Sequence, residues 1–169
     1  MAESEILLTV AELAVAFAGF ASLVGILGQA RSTDSPSINA LRLQGMLENA
    51  MMSFVFALVP FLPYLLGSSA ATAWRVAAFC FAATTAHRLL ALAYRIPEAR
   101  AGGVNMRWLV VVASMQGIAT LTLLAVAVGI AGELAAGAYI LALVLVLFLA
   151  GVFFMRLAVA LLASQEPAA

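Results

Sequence analysis

The sequence predicts an all-α, polytopic membrane protein with about five transmembrane helices, forming a single transmembrane domain over residues 1–169. The first reason is composition: 66% of residues are hydrophobic and only 9% charged. A soluble domain carries roughly 25% charged residues to cover its surface, so most of this chain's surface must face lipid. The second is length: apolar runs of the roughly 20 residues needed to cross a bilayer recur five times. The third is charge placement, because the arginines gather in alternating connections between those runs.

The helices are expected at about 5–29, 36–66, 72–94, 106–130 and 134–163. The start Met-Ala-Glu-Ser-Glu is acidic where a signal peptide is positive, so the first run reads as a retained helix. Ser32 to Pro36 is a loop that closes on Ser35 as N-cap and Pro36 as first helical residue. The second helix therefore begins before its apolar stretch at Leu43, and its first turns project from the hydrocarbon. Its far end carries Pro60 and Pro63, which remove two backbone donors, free carbonyls around Phe56 and Val59 and favour a kink. Gly67-Ser68-Ser69 makes a turn, and Pro97 with Gly102-Gly103 breaks the chain before Asn105, an N-cap for the fourth helix. Gly132-Glu133 forms a tight link, with the Glu133 carboxylate suited to the dipole of the helix that follows.

Arg31 and Arg42 flank the first connection, and Arg95, Arg100 and Arg107 crowd the third. By the positive-inside rule the N-terminus is outside and the C-terminus cytoplasmic. Trp74, Tyr64 and Tyr139 then fall at the outer interface and Tyr94 and Trp108 at the inner one, as two aromatic belts. The fifth helix is apolar on every side apart from Arg156 and Gly151 and reads as lipid-facing.

Charge inside a span is costly, so each instance calls for a partner, an interface or a function. Glu12 and Arg75 fall in the outer part of the membrane and form one candidate pair. Glu48, Asn49, His87, Arg88 and Arg156 fall in the inner part, where Glu48 has Arg88 or Arg156 as partner and His87 lies alongside. Snorkelling of either arginine to the headgroups is the structural alternative. Near the midplane, Gln116, Gly117 and Thr120 offer hydrogen bonds to a neighbouring helix.

At 100° per residue, Glu5, Thr9, Glu12, Ala16, Gly19, Leu23, Ile26 and Gln29 share one face of the first helix. That face runs from an acidic, small-residue mouth through an apolar constriction to a polar exit, a combination found in ion pores. Read structurally, the same stripe is a close-packing surface.

The stretch Ala11-Glu12-Leu13-Ala14-Val15-Ala16-Phe17-Ala18-Gly19-Phe20, followed by Leu41-Arg42 and Leu47-Glu48, resembles small bacterial inner-membrane proteins of unassigned function. The resemblance covers mainly the first two helices and implies a prokaryotic inner membrane without implying an activity. There is no potassium-filter motif, P-loop, zinc helix or nucleophile elbow. Cys80 is the sole cysteine, and no basic patch fits a nucleic acid. No catalytic residue, metal site or cofactor is assigned. The chain is not expected to be an enzyme; intramembrane acid–base chemistry at Glu48 and His87 is the single enzymatic possibility left. The expected function is a homo-oligomeric channel or ion-conducting pore lined by the first helix, with the lipid bilayer, copies of itself and inorganic ions as partners. A non-conducting scaffold or accessory subunit, and a small proton-coupled transporter, are the alternatives.

Overall fold

The computed structural model describes residues 3–29, 36–101 and 106–163, with side chains described for 3–24, 43–94, 96 and 106–159. The helices are α1 (Ser4–Gln29), α2 (Pro36–Leu58), the short α3 (Phe61–Leu65), α4 (Ala70–Ala101), α5 (Met106–Ala127) and α6 (Ala135–Ala163), with a 3-10 turn at Gly132–Leu134 before α6. No strand occurs among the described residues. Five spans are long and apolar enough to cross a membrane: Ser4–Val24, Leu43–Leu65, Ala70–Tyr94, Met106–Ala127 and Gly132–Val159. The chain is a multi-pass membrane protein. The proposed caps Ser35 and Asn105 lie outside the described residues.

α6 is the centre of the bundle and packs against α1, α2, α4 and α5. Tyr139, Ala142, Leu143, Val146 and Ala150 are fully buried along it. The expectation that this helix faces lipid is therefore corrected. A helix apolar all round suits either a lipid-facing or a buried position, and here helices close over it on several sides. α1 and α2 form one closely packed pair, α4 and α5 another, and α6 lies between the pairs. Gly45 on α2 permits one close approach: a Cβ there would meet the Phe153 ring of α6 at 3.2 Å.

The second span is broken at its prolines. Pro60 has no N–H to give the Phe56 carbonyl, and α2 stops at Leu58. Tyr139 of α6 supplies the missing donor, its hydroxyl giving a 2.6 Å hydrogen bond to the Phe56 carbonyl. Around that bond, Phe56 stacks on Phe81 at 4.3 Å and Tyr139 meets both Phe81 and Trp74, at 5.9 and 5.4 Å. Trp74 and Tyr139 are thus core residues, not members of an interfacial belt. Their polar tips made them look interfacial, but the kinked helix offers the hydroxyl a partner inside the bundle. Pro97, read as a helix break, lies within α4, which continues to Ala101.

Replacing Tyr139 by Phe should lower stability by about 1–3 kcal/mol, because it leaves a buried carbonyl without a donor. Adding Pro60→Ala should recover part of that loss by restoring an amide that can reach the same carbonyl. Reversible unfolding in mixed micelles measures both; the exposed Tyr64→Phe serves as the control.

Candidate functional site

The two polar regions expected from the sequence lie on different parts of the bundle. At the arginine-rich end, a cavity of about 320 Å³ opens among α2, α4, α5 and α6. α2 and α4 barely touch through their backbones, and the Arg88 side chain bridges the gap. Its Nη2 donates to Glu48 Oε2 at 2.9 Å and its Nη1 to Asn49 Oδ1 at 2.9 Å, while Met52 Sδ also lies within reach of Nη1. Glu48 accepts a second bond at Oε1 from Gln44 Nε2, at 2.6 Å. Asn49 is itself fixed, donating to the Gly45 carbonyl one turn back at 2.7 Å.

Of the two arginines available to Glu48, Arg88 takes it. Arg156 instead stacks on the Trp108 indole, 3.9 Å from the ring centroid, and Trp108 in turn meets Phe153 edge-on. His87 is exposed at the wall of the cavity and makes no contact that joins it to the pair.

The far wall is formed by α5. Thr120 Oγ1 lies 2.8 Å from the Gln116 carbonyl and 2.9 Å from Thr85 Oγ1 on α4, so its single proton serves one of them. Thr85 gives its own proton to the Ala82 carbonyl at 3.0 Å. This is the α4–α5 hydrogen bonding anticipated near the midplane. Gln116 differs: its residue is 5% exposed, yet its Nε2 is buried with no protein partner.

The face predicted on α1 points away from the bundle. Leu7, Val10, Ala11, Ala14 and Ala21 are buried, whereas Glu5, Thr9, Glu12, Ala16, Gly19 and Leu23 are exposed. A Cβ added at Gly19 would meet nothing within 4 Å. The side chains of Ile26 and Gln29 lie outside the described residues.

Glu12 and Arg75 do not pair. α1 packs on α2 and α6, not on α4, so the two side chains sit on helices that are not neighbours. Arg75 lies against the end of α5, with its guanidinium 2.6 Å from where a Cβ of Gly129 would stand. There Gly129 takes a φ of 84°, its N–H bonds the Val126 carbonyl and the N–H of Ile130 bonds the Ala125 carbonyl. This left-handed closure favours glycine twice over, by its conformation and by the guanidinium above it. A cation at a helix C-terminus is stabilised by the helix dipole, an attraction invisible in a search for carboxylates.

The fold and these polar features define a polytopic α-helical membrane protein with a charged cavity within the chain. Comparisons with protein-family models, curated proteins and solved structures found no match.

Glu48→Gln leaves the Arg88 guanidinium without its counter-charge. With Glu48 46% and Arg88 25% exposed, the expected loss is discounted to about 1–2 kcal/mol. Glu133→Gln, at an exposed link, should change stability by less than about 0.5 kcal/mol. The two unfolding midpoints compared side by side check this.

Proposed function

We propose that the protein is a homo-oligomeric pore of the bacterial inner membrane, its axis lined by α1. The observation that carries the reading is Glu12, a carboxylate exposed on the outward face of a membrane span. A charge facing lipid costs several kcal/mol, and covering it with a second copy or water removes that cost. Ala16 and Gly19 follow on the same exposed face, and such small residues let helices approach closely. Around a symmetry axis, Glu12 forms a ring that attracts cations, and Leu23 forms a constriction that resists wetting. A scaffold would use the same face for assembly without conduction.

Conduction separates these readings. In planar bilayers the wild type should carry a cation-selective current. Glu12→Gln should shift its reversal potential towards zero under a salt gradient, and Leu23→Ser should raise basal leak. Silence of both the wild type and Leu23→Ser would favour the scaffold.

The proposed orientation places the N-terminus outside and the C-terminus in the cytoplasm, supported by the arginines at one end of the bundle. Reporter fusions at the two termini should therefore be active in opposite compartments. Activity of both in one compartment would exclude it.

A further inference from the structure

Arg156 lies inside the apolar span of α6, and its side chain is exposed on the outside of the bundle. A cation in that position needs a counter-charge or water. What the protein supplies is an aromatic ring: the guanidinium carbon stands 3.9 Å from the Trp108 centroid. Among the described residues Arg156 makes no hydrogen bond and no ion pair. The carboxylate described at this end of the bundle, Glu48, is already engaged by Arg88. Within the described bundle Arg156 thus keeps its positive charge and its five N–H donors unengaged.

The ring also holds the cation in one place. Trp108 meets Phe153 edge-on, with centroids 5.9 Å apart and planes at 86°, and Phe153 is seated on Gly45 of α2. A snorkelling arginine swings on a flexible stem towards whatever headgroup is near. An arginine packed on an anchored indole is instead pre-positioned, with its planar fork available to an acceptor. The level is that of a headgroup: Trp108 is the third residue of α5, about 3 Å from the start of the helix. Tryptophan also favours the membrane interface. An acceptor that reaches this level from the bilayer is the phosphate of a phospholipid, whose oxygens match the guanidinium in charge and geometry. A net negative headgroup suits the site better than a zwitterionic one, because a choline ammonium would stand beside a cation that lacks a carboxylate partner.

We propose that the Trp108–Arg156 stack binds the phosphate of an anionic phospholipid in the leaflet at the arginine-rich end of the bundle. The guanidinium carries the recognition, and the indole positions it. The site lies on α5 and α6, apart from the outward face of α1, so it stands whether or not that face lines a pore.

The test is native mass spectrometry of the full chain released from micelles, titrated with phosphatidylglycerol or phosphatidylcholine of the same acyl chains. The wild type should bind the first phosphatidylglycerol on the order of tenfold more tightly than phosphatidylcholine, as a charge-assisted hydrogen bond allows. Arg156→Gln should abolish that preference. Trp108→Leu, which keeps the charge and removes the ring, should lower it several-fold. No preference in the wild type, or an equal preference in Arg156→Gln, overturns the proposal. A preference lost in Arg156→Gln but unchanged in Trp108→Leu also overturns it, because the arginine then only snorkels. Should either variant fail to fold, tryptophan emission of the wild type in mixed bilayers decides. Stronger quenching by brominated phosphatidylglycerol than by brominated phosphatidylcholine at equal mole fraction supports the site, and equal quenching overturns it.

Discussion

The hydrogen bond from Tyr139 to the Phe56 carbonyl holds together the half of the bundle away from the Glu48–Arg88 pair. A proline inside a membrane span exposes a carbonyl where no water is present to satisfy it. Pro60 creates such a carbonyl, and the Tyr139 hydroxyl of α6 answers it. The consequence is positional: α6 must lie against α2 at that level. Trp74 and Phe81 of α4 then close around the tyrosine ring. A single missing amide thus ties the central helix to α2, and ring packing around the same tyrosine ties it to α4.

Much of this architecture was legible in the chain. Span number followed from run length, because the hydrocarbon thickness imposes a minimum that these sequences meet with few charges. The need of Glu48 for a partner was also legible, since a short carboxylate stem cannot reach the headgroups from that depth. Its choice of Arg88 over Arg156 was not. That depends on the Arg88 side chain crossing the α2–α4 gap while the Arg156 guanidinium finds the indole of Trp108. The central role of α6 was hidden for a related reason: a helix apolar on all sides carries no stripe to say which face is covered. Tyr139 misled because an aromatic ring with a polar tip serves equally at a headgroup or against a freed carbonyl, and Trp74 is buried beside it by ring contact.

The orphan amide of Gln116 marks the limit of sequence reading in a different way. Gln116 and Thr120 stand one turn apart on the same helix face and looked equivalent as interhelical donors. Thr120 is short and meets Thr85 across the tight α4–α5 contact. Gln116 lies one turn nearer the arginine-rich end and lines the cavity there. Depth alone places both residues near the midplane; the cavity, which Gln116 lines and Thr120 does not, separates their surroundings.

The space between α2 and α4 at the cavity is crossed by the long Arg88 side chain. Its guanidinium presents a planar fork, so one side chain engages Glu48 through one nitrogen and Asn49 through the other. A lysine carries a single ammonium and could not hold both at those positions with the same fixed geometry. Glu48 and Asn49 are consecutive on α2 and point in different directions around it, toward the exposed flank and toward the interior. Holding both therefore fixes α2 in rotation as well as in distance. The pair of contacts ties α2 to α4 across the space between them, while Gly45 lets α2 pack against α6 through Phe153. Polar groups inside a membrane bundle need partners, and here Glu48, Asn49 and Arg88, which line the cavity, are partners to one another.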